Sequence, residues 1–294
     1  MTDITHCTLC PRQCGVNRTL HAGRCGVSTL RAARAALHHW EEPCISGTNG
    51  SGTVFFSGCP LHCRFCQNAV ISADVQGRTI TVQRLAEIFL ELQAQGAHNI
   101  NLVTGTHFVP WILKALALAG DALYIPVVWN TGGYESVETL RLLAGRVQIY
   151  LPDFKFFSPE TAKNYADAPD YPDIAEAALA EMLRQTGPPV IENGIMQRGC
   201  IVRHLVLPGH RHESIALLTH LAERFGTSQF LLSLMAQYTP MHEDAQYPQL
   251  NRRITKMEYN SVLDCAQKLG FQGFLQDKSS AQSAYTPHFG NEGI

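Results

Sequence analysis

The chain carries little charge for its length, and the two signs nearly balance. Asp, Glu, Lys and Arg make up 16% of its 294 residues, whereas about a quarter is usual. Lys and Arg number 23 against 25 Asp and Glu, so the formal net charge is -2. The sequence therefore lacks the basic surplus that is typical of nucleic-acid-binding proteins, and we expect no nucleic-acid partner.

Segments that would direct the chain to a membrane or to secretion are also missing. The first residues do not show the basic-then-apolar pattern of a signal peptide. No uncharged apolar run reaches the roughly 18 residues needed to cross a bilayer. We therefore predict a cytoplasmic protein with no membrane partner.

Cysteine, in contrast, is abundant and clustered. Of ten cysteines, four lie between positions 7 and 25 and three between positions 59 and 66. Structural disulfides are rare in a reducing cytosol, so the two clusters indicate ligands for metal ions or iron–sulfur clusters. We interpret the isolated Cys44, Cys200 and Cys265 as small buried residues.

Strand-like and helix-like segments alternate along the chain after residue 52. The predicted strands cover residues 53–57, 99–103, 125–129, 147–151, 201–207, 230–235 and a short last segment, 273–275. The predicted helices cover residues 82–95, 110–119, 136–143, 159–165, 173–185, 213–225 and 255–269. Such alternation predicts a parallel sheet with right-handed crossovers.

The length of this α/β region sets the number of units. An eight-unit barrel takes roughly 250 residues, and about six βα units fit here. We therefore predict an open, partial TIM-type (βα)6 barrel over residues 46–294. Residues 1–45 are predicted to form a small Cys-rich metal-binding segment, within which residues 28–45 are compatible with either helix or strand.

The first predicted strand runs directly into Ser57-Gly-Cys-Pro-Leu-His-Cys-Arg-Phe-Cys-Gln-Asn68, a C-x3-C-x2-C motif. Four thiolates saturate a [4Fe-4S] cluster, so Cys59, Cys63 and Cys66 would leave one iron open for a small chelating ligand. The alternative is a structural zinc site, which normally needs four ligands. His62 would be its nominal fourth ligand.

This motif resembles the signature of the radical S-adenosylmethionine superfamily, in which an aromatic residue, here Phe65, precedes the third cysteine. The chain resembles more closely the branch related to pyruvate formate-lyase activating enzyme, and within it uncharacterised activase-like proteins with a Cys-rich N-terminus. The matching pieces are Cys7-Thr-Leu-Cys-Pro-Arg-Gln-Cys14, Gly23-Arg-Cys25-Gly, the run from Glu41-Glu-Pro43 to Gly58, Cys66-Gln-Asn68, Asn130-Thr-Gly-Gly-Tyr134, Leu151-Pro-Asp-Phe-Lys155, Arg203-His-Leu-Val-Leu-Pro-Gly209 and Met235-Ala-Gln-Tyr238.

The resemblance implies a radical S-adenosylmethionine oxidoreductase. In that superfamily the open iron chelates the methionine moiety of S-adenosylmethionine, and reduction of the cluster yields a 5′-deoxyadenosyl radical that abstracts hydrogen from a substrate. The implied reductant is a flavodoxin or a ferredoxin. The cofactor supplies the difficult chemistry, and the protein supplies position and exclusion of water.

Polar residues follow the predicted strands, at the edge where ligands of parallel α/β folds bind. We expect cofactor contacts from Thr104, Gly105, His107, Asn130, Asp153, Lys155, Arg203 and Gln237, together with Phe65 and Asn68 of the cysteine loop. Activating enzymes carry a Gly-Gly-Glu motif where this chain has Thr104 to His107, so Thr104 and His107 would replace the missing glutamate.

Two of these expectations have simple alternatives. Asp153-x-Lys155 resembles the Asp-x-Lys motif of glycyl-radical activases, and its alternative is a surface ion pair of little energetic value. Asn130-Thr-Gly-Gly133 is equally compatible with an ordinary strand-to-helix turn.

The N-terminal cysteines are spaced C-x2-C-x3-C-x10-C. Cys7, Cys10, Cys14 and Cys25 would complete either a tetrahedral zinc site or an auxiliary iron–sulfur cluster. Zinc would fix the segment to the barrel, whereas a cluster could relay electrons or bind substrate. Unligated thiols are the third alternative.

The leading functional hypothesis is a radical enzyme that acts on a protein or peptide, with a glycyl radical enzyme as one such partner. Radical modification of a peptide or small molecule is the second. A non-catalytic iron–sulfur or zinc-binding protein is the third, and it would not consume S-adenosylmethionine.

We expect Cys63→Ala to abolish cleavage of S-adenosylmethionine and to lose most iron from the first site, because it removes one of three thiolates. Iron content and 5′-deoxyadenosine formation measure this. Cys265→Ala, outside both clusters, is the matched control. Cleavage at the wild-type rate in Cys63→Ala would contradict the assignment.

Overall fold

A computed structural model describes residues 4–275, 287 and 289–294. Within them the strands are β1 Arg31–His38, β2 Ser51–Phe56, β3 Arg78–Thr79, β4 Ile100–Val103, β5 Val127–Thr131, β6 Ile149–Pro152, β7 Val190–Glu192, β8 Ile195–Leu205, β9 Leu231–Met235 and β10 Gly273–Leu275. The helices are α1 Pro43–Ser46, α2 Ala69–Ser72, α3 Val82–Ala94, α4 Val109–Ala119, α5 Val137–Leu142, α6 Pro159–Ala166, α7 Tyr171–Thr186, α8 Arg211–Phe225 and α9 Lys256–Leu269.

The strands form one sheet in the order β10-β9-β8-β6-β5-β4-β2-β1-β3, with β7 paired to β8. All neighbours from β10 to β2 are parallel, whereas β1, β3 and β7 pair antiparallel. In the described part of the chain, β10 and β3 end this order without pairing to each other, so the barrel is open. The predicted α/β fold with an open partial barrel is confirmed.

Helices α3, α5, α6 and α9 begin where the side chain of a serine or threonine satisfies a free backbone N–H group. Ser136 accepts a hydrogen bond from the backbone N–H of Thr139 at the start of α5. Thr255 forms a capping box with Glu258 at α9. Buried apolar faces of the helices then cover the sheet around Trp129 and Tyr150. None of the described helices is both long and apolar enough for a membrane crossing.

Residues 31–38 resolve the ambiguity of the N-terminal part in favour of strand. Their alanine and arginine content favours helix, but β1 lies along the edge of β2 and buries Ala32 and Ala33. Pairing to a free sheet edge outweighs local propensity here. The division at residue 45 stays a prediction, and β1 before it pairs with β2 after it.

The turn after β5 brings the ends of two strands together. Gly133 has a φ of +82°, and a Cβ added there would overlap the carbonyl oxygen of Asp153 and lie 2.8 Å from the Tyr171 hydroxyl. Only glycine adopts this conformation and also leaves that space. Gly133 thereby allows the backbone after β5 to contact the backbone after β6.

We expect Gly133→Ala to lower the free energy of unfolding by more than about 1 kcal/mol, because strain and overlap act together. Gly145→Ala is the matched control, since Gly145 has a φ of +74° but open space around it. Urea unfolding of both variants measures the difference. Equal losses would show that the close approach to Asp153 is unimportant.

Candidate active site

The loop with the C-x3-C-x2-C motif begins at the carboxyl end of β2 and is held by backbone hydrogen bonds. The Cys59 N–H donates to the carbonyl of Cys25 (3.2 Å), and the Arg64 N–H donates to the carbonyl of Tyr165 (2.9 Å). Cys59, Cys63 and Cys66 line one cavity of about 240 Å³. The three predicted ligands therefore share a single site.

Burial keeps two of these thiols protonated in the metal-free protein. It raises the pKa of Cys59 to about 11, and it raises the pKa of Cys63 further, although Lys155 opposes that rise. Within the described residues, no group of three or more His, Cys, Asp and Glu side chains is disposed as it stands to hold a metal ion. Metal binding would deprotonate the thiols and release protons. Three thiols on one short loop fit a cluster with three protein ligands.

Part of the cavity wall is a buried ion-pair network centred on Asp153. One carboxylate oxygen of Asp153 accepts a hydrogen bond from Lys155 Nζ at 2.5 Å, and the other accepts one from Arg203 Nε at 2.8 Å. Burial alone would raise the pKa of Asp153, but Arg203 and Lys155 outweigh it and hold the pKa below its usual value. The pair predicted at Asp153 and Lys155 is thus buried, not a surface ion pair.

Arg203 joins this network to a carboxylate from far along the sequence. Its guanidinium lies 3.3 Å from Glu41 Oε2 and donates to Asn130 Oδ1 at 2.6 Å. Asn130 and Asn101 each donate to Glu41 Oε1 at 3.2 Å. Burial raises the pKa of Glu41, and Arg203 opposes that rise. Side chains from β4, β5 and β8 therefore meet at one carboxylate.

The backbone behind the network is held by Tyr171 at the start of α7. Its hydroxyl lies 2.9 Å from the carbonyl oxygens of Gly132 and Asp153, and it accepts a hydrogen bond from the Lys155 N–H at 2.9 Å. The turn after β5 and the Asp153–Lys155 segment thus share one buried phenol. The sequence reasoning did not single out Tyr171.

The remaining predicted residues divide into two groups. Phe65, Asn68, Thr104 and Gln237 line the cavity. Thr104 has a φ of 59°, a conformation that costs energy in a β-branched residue and often marks a functional site.

Gly105 and His107 support the wall from behind. Gly105 packs closely against Trp129. The His107 ring is fully buried, with Nε2 at 2.9 Å from the carbonyl oxygen of Ser57. Burial lowers the pKa of His107 to about 3. These positions fit a role in holding the end of β2 in place.

A second cavity of about 690 Å³ adjoins the first. Both are lined by Gln67, Asn68, Asn130, Arg203 and Gln237. The larger cavity lies between the two sides of the open sheet, with residues of β1 and β2 on one side and of β9 and β10 on the other. Its wall includes Glu42, whose carboxyl group is also buried. Neither Glu41 nor Glu42 was predicted to be a site residue, although two adjacent acids are a signal in a chain so poor in charge.

The N-terminal cysteine segment packs directly on the cysteine loop. The Arg12 guanidinium donates to the carbonyl oxygens of Pro60 (2.9 Å), Ala166 (2.8 Å) and Asp167. Cys7, Cys10 and Cys25 are buried, whereas Cys14 is exposed. The N-terminal segment therefore supports the loop that carries the first site.

An open parallel barrel with three cysteines after its first parallel strand defines a class of radical enzymes, and sequence comparison identifies the family. The family model of the Radical SAM superfamily matches residues 53–222, more than half of the chain. The chain belongs to the radical S-adenosylmethionine superfamily. Membership implies an enzyme that uses radical chemistry with a [4Fe-4S] cluster and S-adenosylmethionine.

Individual proteins are also similar to this chain. The uncharacterised protein MJ0674 of Methanocaldococcus jannaschii is 30% identical over 272 residues, which cover 90% of this chain and 75% of that protein. Streptococcus suis SuiB bound to S-adenosylmethionine matches with a TM-score of 0.50 and 13% identity over 74% of this chain and 48% of SuiB. SuiB bound to its precursor peptide SuiA gives a TM-score of 0.49 at 14% identity, over 74% of this chain and 46% of SuiB. The chain thus spans about half the length of SuiB, and the likeness is one of fold.

We expect Tyr171→Phe to lower the free energy of unfolding by about 1–3 kcal/mol, because it leaves buried backbone groups without a partner. Tyr124→Phe is the matched control, since the Tyr124 side chain is 80% exposed. Denaturant unfolding measures both variants. Equal stability of the two would show that the phenol does not hold the strand ends.

Proposed function

We propose that this protein reductively cleaves S-adenosylmethionine at a [4Fe-4S] cluster held by Cys59, Cys63 and Cys66, and abstracts a hydrogen atom from a protein or peptide. The observation that carries the proposal is the shared cavity, which is lined both by three thiols and by a buried ion-pair network at the carboxyl ends of parallel strands. When bound, the reduced cluster supplies the electron that breaks a carbon–sulfur bond of S-adenosylmethionine.

The charged residues that line the cavity favour negatively charged groups within it. Lys155 opposes the effect of burial on Cys63 and so favours its thiolate. Burial disfavours the charged forms of Lys155 and Arg203, but nearby acidic groups, with Asp153 foremost, together outweigh burial and raise the pKa of both cations. Lys155 and Arg203 share the single Asp153 carboxylate, so these three groups together keep a net positive charge, which favours thiolates and the carboxylate of a bound amino acid moiety.

Apolar residues of the cavity limit the access of water. Phe65 packs edge-on against Phe156 and Tyr165, with ring centroids 5.9 and 6.3 Å apart. Leu61 and Ile71 are buried beside the thiols. A water-poor cavity protects a reactive radical from side reactions.

The larger cavity supports a protein or peptide substrate. It lies between the two sides of the open sheet, where an extended segment can enter, and it shares Asn68 and Arg203 with the smaller cavity. A glycyl radical enzyme is the partner that the activase resemblance implies, and a flavodoxin or ferredoxin is the proposed reductant. The same cavity would also hold a small molecule.

The cleavage reaction is tested by anaerobic reconstitution with iron and sulfide, followed by dithionite and S-adenosylmethionine. We expect 5′-deoxyadenosine from the wild-type protein and none from Cys63→Ala, with Cys265→Ala active. Absence of the product from a fully loaded protein, even with cell extract added, would overturn the proposal.

The substrate class is tested by deuterium transfer. Extract from host cells grown on deuterated glycine is separated into a protein fraction and a low-molecular-mass filtrate. Deuterium in 5′-deoxyadenosine from the protein fraction would support a glycyl partner. Deuterium that appears only with protein labelled at other residues would favour a different peptide site. Transfer from the filtrate alone would favour a small-molecule substrate.

A further inference from the structure

Arg18 is a buried cation without a carboxylate partner among the described residues. It is 2% exposed. One guanidinium nitrogen donates to the carbonyl oxygen of His107, whereas Nε and Nη2 have no hydrogen-bond partner. Its guanidinium lies over Phe108 and Trp111, 5.5 and 5.1 Å from their ring centroids. The surroundings of this charge are therefore mostly apolar.

A buried arginine in mostly apolar surroundings is unfavourable unless an anionic group lies beside it. Arginine does not lose its proton in proteins, and an unpaired buried ion is strongly destabilising even after relaxation. Aromatic faces offset only part of that destabilisation. An anionic group close to Arg18 would remove the penalty.

Groups that can become anionic lie in the same segment as Arg18. The backbone N–H of Arg18 donates to the carbonyl of Ile4 at 2.8 Å, three residues before Cys7. Cys25 lies within the electrostatic reach of Arg18, Cys7 and Cys14, and Cys10 lies within that of Cys7 and Cys25. The thiols of this segment are therefore the groups that can supply the missing negative charge.

Backbone geometry in the segment keeps the cysteines together. The Gly15 N–H donates to the carbonyl of Cys7, and the Cys7 N–H donates to the carbonyl of Val16, both at 3.0 Å. A Cβ on Gly23 would lie 2.7 Å from Cys14 Sγ, so this position requires the absence of a side chain. The chain turns tightly around the sulfur atoms.

We propose that Cys7, Cys10, Cys14 and Cys25 bind one metal centre as four thiolates, and that Arg18 is the counter-cation of this centre. A zinc ion or an oxidised [4Fe-4S] core carries two positive charges, so four thiolates leave two negative charges on the centre. Each thiol gives its proton to solvent when the metal binds. Arg18 is a positioning residue, because it acts on the centre through charge and not as a ligand.

The same contacts connect the centre to the first site. Arg18 donates to the carbonyl of His107, and the His107 ring lies 2.9 Å from the carbonyl of Ser57, two residues before Cys59. The Cys25 carbonyl accepts the N–H of Cys59. Metal binding at the N-terminal cysteines therefore holds the segment against the loop that carries the first cluster.

The test compares metal affinity in the full chain between wild type, Arg18→Met, Arg18→Lys and Cys10→Ala. Metal bound at the N-terminal centre is measured as the difference in bound zinc, or in bound iron and sulfide, between wild type and Cys10→Ala. Chelator competition should show affinity about 10- to 100-fold weaker in Arg18→Met, as for other residues that support metal ligands. Arg18→Lys should retain most of it. Arg146→Met, at an exposed arginine, is the control.

Thermal unfolding provides a readout that a merely structural arginine would not give. Without metal, Arg18→Met should have a higher Tm than wild type, because it removes an unpaired buried charge. With metal, it should have a lower Tm. Equal metal content in wild type and Cys10→Ala would overturn the centre, and equal affinity in wild type and Arg18→Met would overturn the role of Arg18. Binding of zinc alone would identify the centre as a zinc site, and binding of iron with sulfide would identify it as an iron–sulfur cluster. Either result would support the proposed centre. None of these measurements requires cleavage of S-adenosylmethionine.

Discussion

The ion-pair network around Arg203 is the interaction on which the site depends. One guanidinium contacts the carboxylates of Asp153 and Glu41 and the amide of Asn130. Asp153 follows β6, Arg203 lies on β8, Asn130 lies on β5, and Glu41 precedes α1. Charges taken out of water are stable only when their partners are fixed in place. The strand ends must therefore assemble correctly before the network can form, and the network then fixes the position of Lys155 beside the thiols.

The sequence could predict those site residues whose placement follows from local pattern. Cys59, Cys63 and Cys66 lie on one short loop, so their spacing alone brings them together. Asp153 and Arg203 were found because parallel strands bring their carboxyl ends to one edge. Glu41 was missed because it lies outside the βα repeat and is 162 residues from Arg203. Tyr171 was missed because a tyrosine at a helix start gives no sign that its hydroxyl contacts two strand ends.

The other differences have the same origin in long-range contacts. Residues 31–38 have the composition of a helix, and only the free edge of β2 makes them a strand. His107 was expected at the cofactor, because polar residues after a strand usually face the ligand. A short 3-10 turn at Thr106–Phe108 instead directs its ring under the cysteine loop. Sequence patterns locate the strand ends, but tertiary packing decides which side chains face the cavity.

The two adjoining cavities have a thermodynamic consequence. Asn68, Asn130, Arg203 and Gln237 line both of them, so two molecules bound one in each cavity would contact the same side chains. Binding free energies coupled in this way are reciprocal. If a ligand in the larger cavity changes the affinity of the smaller cavity for its ligand by some factor, the second ligand changes the affinity of the larger cavity by the same factor. Two ligands bound on either side of this shared wall would therefore each have a dissociation constant that depends on the concentration of the other.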